Sequence, residues 1–200
     1  MFTGLVECTG RVRSCTPIAD GARYTIEIPF AAELAAGDSV AVNGCCLTVD
    51  AIGEGCASFD LLTQTLRVTS LGALAPGSLC NLERAMLPTG RMGGHFVSGH
   101  VDTTGVVAEL REVGQDHVLR VRVPRDPGLR YVIDKGSIAL DGVSLTIANI
   151  LREELLLEFW ITPHTWQRTL MPMYAPGVRV NLEWDMMAKY IENYLLRQGR

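Results

Sequence analysis

The chain has 200 residues, 48% of them hydrophobic and 20% charged, with 18 Lys and Arg against 22 Asp and Glu and a formal net charge of −4. That balance excludes a disordered polyelectrolyte and argues against a nucleic-acid partner, which calls for a basic face. No run reaches the ~18 apolar residues of a membrane span. The opening Met1-Phe2-Thr3-Gly4 has no basic or long apolar stretch, so no membrane partner and no secretory signal are expected, and the cytoplasm is the default location.

Along the chain, a first segment, FTGLVECTGRVR from Phe2 to Arg13, precedes an alternating run in which Tyr24, Ile26 and Ile28 interleave with Arg23, Thr25 and Glu27. Period 2 predicts a strand with one buried face. Next comes DSVAVNGCCLTVDAI at 38–52, where Asn43-Gly44 separates two apolar runs. Asn-Gly tolerates φ > 0 at both central residues and predicts a tight hairpin turn. A threonine-bearing segment at 60–69 and an Ala75-Pro76-Gly77…Asn81-Leu82-Glu83 stretch follow. Residues 86–94, MLPTGRMGG, read as a linker.

The same series then recurs in order. VSGHVDTTGVVA at 97–108 lies over the first segment; Leu119, Val121 and Val123 over the first strand; GSIALDGVSLTIANI at 136–150 over 38–52; and Ala175-Pro176-Gly177…Asn181-Leu182-Glu183 over the last stretch. The turn is now Asp141-Gly142, and Thr165 and Thr169 fall over Thr65 and Thr69. This is a tandem duplication, which has to be recognised before the fold is assigned. Turn signals every 8–12 residues suit a small closed sheet, and closure removes exposed edges. The expected fold is all-β: two tandem six-stranded Greek-key barrels, residues 1–94 with the linker and 95–184, then a C-terminal helix within 185–200. In that helix, predicted over 186–198, Met187, Ile191, Tyr194 and Leu195 share a face and Asp185 caps the N-terminus. Its apolar face has either the barrels or other copies of the chain to pack on. Cys8, Cys15, Cys45, Cys46, Cys56 and Cys80 lack paired Cys-x-x-Cys spacing and read as mostly buried small hydrophobes.

MFTGLVE at the start, NGCCLTV at 43–49, GGHFVSGHVD at 93–102, DGVSLTI at 141–147 and NLEWDMMAKYIE at 181–192 together resemble the riboflavin synthase family, in order and over the whole chain. The resemblance implies a dismutation of two 6,7-dimethyl-8-ribityllumazine molecules, with a four-carbon unit passed between them, giving riboflavin and 5-amino-6-(ribitylamino)uracil. It implies no cofactor and no metal, in keeping with the lack of G-x-G-x-x-G, a Walker loop or zinc spacing. It further implies a homotrimer whose site lies between the N-barrel of one chain and the C-barrel of the next, and it allows association with a lumazine synthase.

Candidate residues follow from both sources. His100, whose repeat counterpart is Leu5, titrates near neutrality and can move a proton; a polar strand-end role is the plain alternative. Ser144 and Thr146 match Cys46 and Thr48 on alternate strand positions, so each pair shares one face and can bond a heterocycle edge; threonine also simply suits strands. Cys46 is a candidate nucleophile, though binding suits it better. Lys135, matching Gly37, is a solvated charge or a polarising group, and Asp185 a cap or a catalytic group. The resemblance adds Gly4, Leu5, Val6, Leu47, Gly99, Val101 and Leu145 as substrate contacts. It also adds Asp60, Leu61, Leu62, Thr63, Gln64 and Thr65, with Trp160, Ile161, Thr162, Pro163, His164 and Thr165 in the second repeat. Gln64 and His164 stand where the family often has Glu, and Leu62-Thr63 replaces a more usual X-Pro. His95 and His117 read as structural or exposed. Cys46 and Thr48 are grouped as the first-half site, His100 and Ser144 as the second. A hydrolase elbow is rejected because Thr146 and Ile147 continue a strand where G-x-S-x-G needs a glycine. The competing function is a non-catalytic lumazine- or flavin-binding antenna protein.

Overall fold

The computed structural model describes residues 1–125 and 128–197. The first repeat folds into β1 (Cys8–Ile18), β2 (Gly21–Glu27), β3 (Ser39–Val42), β4 (Cys45–Thr48), β5 (Ala51–Gly53), β6 (Cys56–Leu62), a short helix α1 (Thr63–Val68) and β7 (Leu79–Arg84). The second gives β8 (Thr103–Val113), β9 (Asp116–Arg122), β10 (Ser137–Leu140), β11 (Val143–Thr146), β12 (Asn149–Leu151), β13 (Leu156–Ile161), α2 (Pro163–Arg168) and β14 (Arg179–Trp184). The strand orders, β4-β3-β7-β1-β2-β6-β5 and β11-β10-β14-β8-β9-β13-β12, are the same topology twice. In each, the last strand of the repeat inserts beside the first, as a Greek key requires.

Each sheet has seven strand segments where six strands are expected, and the difference has a simple cause. β4 and β5 are one bent strand broken at Val49 and Asp50: its first part pairs with β3 and its second with β6. The bend joins the two ends of the sheet and closes the barrel, so a three-residue segment replaces an open edge. The alternating residues fill the interior: Tyr24, Ile26 and Phe59 in the first barrel, Leu119, Val121 and Phe159 in the second. Burying a Phe side chain is worth ~1.5–3 kcal/mol.

Between the barrels runs an approximate twofold axis lined by polar groups. Asn81 Nδ2 donates to the Asp141 carbonyl at 2.9 Å while its Oδ1 accepts from Leu170 N at 2.9 Å. In mirror fashion Asn181 Nδ2 donates to the Asn43 carbonyl at 2.8 Å and its Oδ1 accepts from Ser70 N at 2.6 Å. Each amide therefore uses both its nitrogen and its oxygen across the axis. The turns at Asn43-Gly44 and Asp141-Gly142 have φ of 45°, 76°, 43° and 79° and stand back to back. A Cβ on Gly44 would sit 2.6 Å from Gly142 N, so backbone meets backbone there.

The helix α3 (Met186–Arg197) follows β14; Gln198, included in the expected helix, lies outside the described residues. Asp185 Oδ1 accepts from Met187 N at 2.9 Å, an N-cap contact. Polar ties hold α3 to the barrel: Lys189 pairs with Asp102, and Glu192 with Arg130 and Tyr131. The shared apolar face of Met187, Ile191, Tyr194 and Leu195 is not used in this way and is exposed. Among the described residues no helix is long and apolar enough to cross a membrane.

One buried group makes the interface sensitive to pH. Asp141 is enclosed, accepting from Asn181 N and Tyr174 Oη at 2.7 Å each, and burial pushes its carboxyl up to about 7. Because the folded value lies above the unfolded one, its contribution is complete below about pH 4 and is lost as pH rises through 7. Asn43 fills the matching position in the first half and accepts from Asn81 N with an amide oxygen. Asp141→Asn should therefore flatten the decline: between pH 5 and 8 the wild type should lose on the order of 2–4 kcal/mol relative to the variant in urea unfolding. Parallel profiles would show that the buried carboxyl does not titrate.

Candidate active site

The residues singled out in the sequence gather at two equivalent places, each assembled from both repeats. The segment before β1 turns at Thr3-Gly4. There Glu83 of β7 accepts from Thr3 N (2.7 Å), Thr3 Oγ1 (2.7 Å) and Gly4 N (3.0 Å). Glu183 of β14 holds Ser98 N (2.6 Å), Ser98 Oγ (2.8 Å) and Gly99 N (2.9 Å) in the same way. Thus anchored, each arm reaches across the axis. The Gly4 carbonyl accepts from Ser144 N at 2.7 Å, and the Gly99 carbonyl from Cys46 N at 2.8 Å. Val6 packs on the second barrel's core and Val101 on the first's. Between the arms Phe2 and Val97 exchange both backbone hydrogen bonds, over a small apolar cluster with Ala41 and Ala139.

This crossing corrects the grouping expected from the repeat. His100 belongs with Cys46 and Thr48, not with Ser144; Leu5 belongs with Ser144 and Thr146. Repeat alignment identifies equivalent positions, but the arms are exchanged, so equivalence and neighbourhood differ.

Alternation on β4 and β11 behaves as expected. Cys46, Thr48, Ser144 and Thr146 have some or much of their surface exposed, while Leu47 and Leu145 turn into the barrels. Leu61 and Ile161 are core residues as well. These four offer a ligand only their backbone. On the neighbouring strands β6 and β13, Leu62 and Trp160 are 64% and 49% exposed, large apolar groups beside polar ones. β6 lies against β4, and β13 against β11. Asp60 shares that outer face, but Arg23 holds its carboxylate at 2.7 and 2.8 Å and keeps it below the ordinary range. Thr63, Gln64, Thr162 and His164 are exposed at the starts of α1 and α2, Pro163 opening α2. Thr65 and Thr165 are half-buried, their carbonyls taken by the hydroxyls of Thr69 and Thr169.

Lys135 adopts φ of 64° where the first half has Gly37 at 94°, and both backbone N–H groups donate to the strand opposite, at Ile147 and Val49. A lysine in the left-handed region costs ~1 kcal/mol or more, and its ammonium donates to the Ala148 carbonyl at 3.3 Å near the exposed Thr146. His117 stacks on Trp166 with ring centroids 3.5 Å apart, a packing role within the second barrel. Burial pushes the thiols of Cys45 and Cys80 up to about 12, which keeps them protonated.

His95 is the residue that sequence reasoning missed. Its Nδ1 lies 2.7 Å from Ser144 Oγ, its backbone N donates to the Thr3 carbonyl at 3.2 Å, and it is half-buried. It directly follows the glycine-rich linker and precedes the repeated segment that starts at Val97, where no periodicity says which strand a side chain meets.

A model of the lumazine binding domain matches residues 3–85 and again 98–185. The riboflavin synthase of Mycobacterium tuberculosis is 43% identical over the full length of both chains. That of Bacillus subtilis is 39% identical over 98% of this chain and 90% of its own, and that of Schizosaccharomyces pombe 40% over 96% and 92%. Crystal structures of LumP with 6,7-dimethyl-8-(1'-D-ribityl) lumazine and with riboflavin have the same fold. Their TM-scores are 0.82 and 0.84 at 23% and 24% identity, each spanning 92% of this chain and 99% of LumP.

The arm contacts leave no room for a side chain at their glycines. A Cβ on Gly99 would lie 2.5 Å from Cys46 Cβ, with φ at 81°, whereas Gly77 has φ of 92° and nothing within 4 Å. Gly77→Ala should cost only the backbone conformation, ~1–2 kcal/mol; Gly99→Ala should cost a further ~1–3 kcal/mol of overpacking. Equal urea midpoints for the two variants would contradict the close approach of the arm to β4.

Proposed function

The chain belongs to the lumazine-binding-domain family, and on that premise we propose that it makes riboflavin. In this reading it is a cytoplasmic transferase that dismutates two 6,7-dimethyl-8-ribityllumazine molecules. A four-carbon unit passes from one to the other, and riboflavin and 5-amino-6-(ribitylamino)uracil leave. The observation that carries this reading is a pair of sites with one backbone plan and different side chains: His100, Cys46 and Thr48 in one, Leu5, Ser144, Thr146 and Lys135 in the other. A shared plan suits two identical ligands; different side chains suit two different roles.

The reaction is mainly a matter of orientation. One lumazine loses a proton from its acidic 7-methyl group and becomes a nucleophile, the other is the electrophile, and holding both in near-attack geometry is worth up to ~7–11 kcal/mol. Thr48, Ser144 and Thr146 supply hydroxyls to ring edges and ribityl chains. Leu62 and Trp160 supply apolar surface to the ring faces. His100 and Lys135 supply a proton-moving group and a positive charge. Asp185, beside the second site, has its carboxylate partly engaged by the helix cap.

Both sites lie open on a single chain, whereas a carbanion needs protection from water. We assign the cover to neighbouring copies, with the Cys46 site of one chain against the Ser144 site of the next in a homotrimer. The exposed face of α3 and the apolar groove of about 490 Å³ that it forms with Tyr131 and Ile133 supply the contact. An enclosing lumazine synthase assembly is compatible with this arrangement and lies outside it. The fold shared with LumP leaves a second reading, a binder without turnover.

Incubation with the lumazine alone separates the two. Two molecules should disappear for each riboflavin that appears, and dialysis against EDTA should leave the rate unchanged. Binding without turnover would favour the antenna role, and loss of rate restored by a divalent metal would contradict the mechanism.

The crossing of the arms fixes which variants to mix for the intermolecular site. One chain carries Cys46→Ala and His100→Leu, the other Ser144→Ala and Lys135→Ala. Each should be nearly inactive alone, and co-expressed, doubly tagged oligomers should recover part of the activity through interfaces that join two intact sites. No recovery in proven mixed oligomers would rule the arrangement out, and a fully active species of monomeric mass would rule out the trimer.

A further inference from the structure

The two arms are secured differently at their far ends. Each is fixed near its turn by a glutamate, and each then carries a second carboxylate at a matched position, Glu7 in the first arm and Asp102 in the second. Glu7 N and Asp102 N donate to the carbonyls of Leu82 and Leu182 at 2.9 Å each. Glu7 is held from within its own barrel. Its carboxylate accepts from Arg84 N at 2.7 Å and from the Arg84 guanidinium at 2.6–3.2 Å, and Glu33 braces the same guanidinium at 2.6 Å. The second repeat has neither support: Trp184, buried in the barrel core, stands at the position of Arg84, and Tyr131 at that of Glu33. Asp102 still accepts from Trp184 N at 2.9 Å, but its cation, at 2.5 Å, is Lys189 of α3. Tyr131 likewise turns to α3, its hydroxyl donating to Glu192.

The arm that depends on α3 is the one that brings a titratable side chain to a site. His100 lies between Gly99, whose N donates to Glu183 at 2.9 Å, and Asp102; Leu5 holds the matching place in the arm that Arg84 secures. His100 is exposed, so its direction is set by the backbone on either side of it. An ion pair whose side chains are 30% and 26% exposed adds little to overall stability, yet this one fixes the far end of the segment that carries His100. Resting on the function proposed above, we propose that Lys189 and Asp102 are positioning residues: through their ion pair α3 holds the second arm so that His100 reaches the Cys46 site in working geometry. The first arm needs no such help, because its carboxylate is answered within the barrel and its Leu5 moves no proton. The helix assigned above to contacts between copies therefore also sets the reach of His100, and assembly and the geometry of the Cys46 site share one element.

The test measures kcat and KM for riboflavin formation from 6,7-dimethyl-8-ribityllumazine, with the oligomeric mass of every variant checked by light scattering. Lys189→Met keeps the apolar stem and removes the charge, and Asp102→Asn keeps an acceptor for Trp184 N. Each should lower kcat by roughly 10–10²-fold, as expected when a reacting group is misplaced by about an ångström, with KM changed less than about threefold. The double variant should lose no more than either single one, because the pair works as a unit, and Lys189→Arg should restore most of the rate. Glu192→Gln weakens the other tie of α3 without touching the arm and should leave kcat within about threefold of wild type. In a His100→Leu background, adding Lys189→Met should cost less than about threefold, since the group being positioned is gone. A Lys189→Met protein as fast as wild type, the full loss repeated on top of His100→Leu, or an equal loss in Glu192→Gln would each overturn the proposal. If Lys189→Met differs from wild type in mass, Asp102→Asn, which leaves α3 unaltered, decides by the same criteria. A wild type that makes no riboflavin overturns the function itself; an active wild type beside an equally active Lys189→Met overturns only the positioning.

Discussion

The structure depends on two buried asparagines that each spend both ends of their amide on the opposite repeat. Asn81 and Asn181 sit on the axis between the barrels, and neither has another way to satisfy a donor and an acceptor that water cannot reach. Repeats misaligned at a still-buried axis would strand four such groups, at ~1–3 kcal/mol each. The relative placement of the two barrels is therefore set at this axis. With the axis fixed, the back-to-back turns of Gly44 and Gly142 are fixed, and the outward residues that follow each turn, Cys46 and Ser144, emerge at set distances from it.

The same axis explains how duplication yields asymmetry that chemistry can use. Backbone contacts are repeated almost bond for bond: Glu83 and Glu183 hold the arms, and Gly4 and Gly99 offer carbonyls to the opposite strands. Side chains at matched positions are free to diverge because nothing in this framework uses them. Leu5 against His100, Cys46 against Ser144 and Gly37 against Lys135 all lie on exposed or half-exposed positions. Asn43 against Asp141 is the exception, a divergence inside the framework, and it brings a carboxyl that titrates where an amide would not.

Much of this was readable from the chain. The duplication, the two turns, the alternation that puts Thr48 outward and Leu47 inward, and the Asp185 cap all follow from local rules about period and φ. What stayed hidden is long-range. A repeat shows that Leu5 and His100 are equivalent, but not that each serves the other half, because exchange of arms leaves the pattern unchanged. The break at Val49 and Asp50 that turns one strand into two ladder segments is set by barrel closure rather than by residue preference. His95 stayed hidden for a related reason: its partner is 49 residues away, and the stretch between the linker and the repeated segment has no period from which to infer a face.

The crossed arms also set an order of assembly on the ribosome. The first barrel lacks its cover over β4 until residues 97–101 have been made, so a chain stopped in the linker exposes the core surface on which Val101 packs. The second barrel faces no such wait, since the arm bearing Val6 is the first part of the chain to emerge. Nascent chains thus pass through a stage in which one barrel is formed but unroofed, and unroofed apolar surface invites wrong partners during synthesis. A short linker between the repeats keeps that stage brief, because few residues separate the end of β7 from the arm at 97–101.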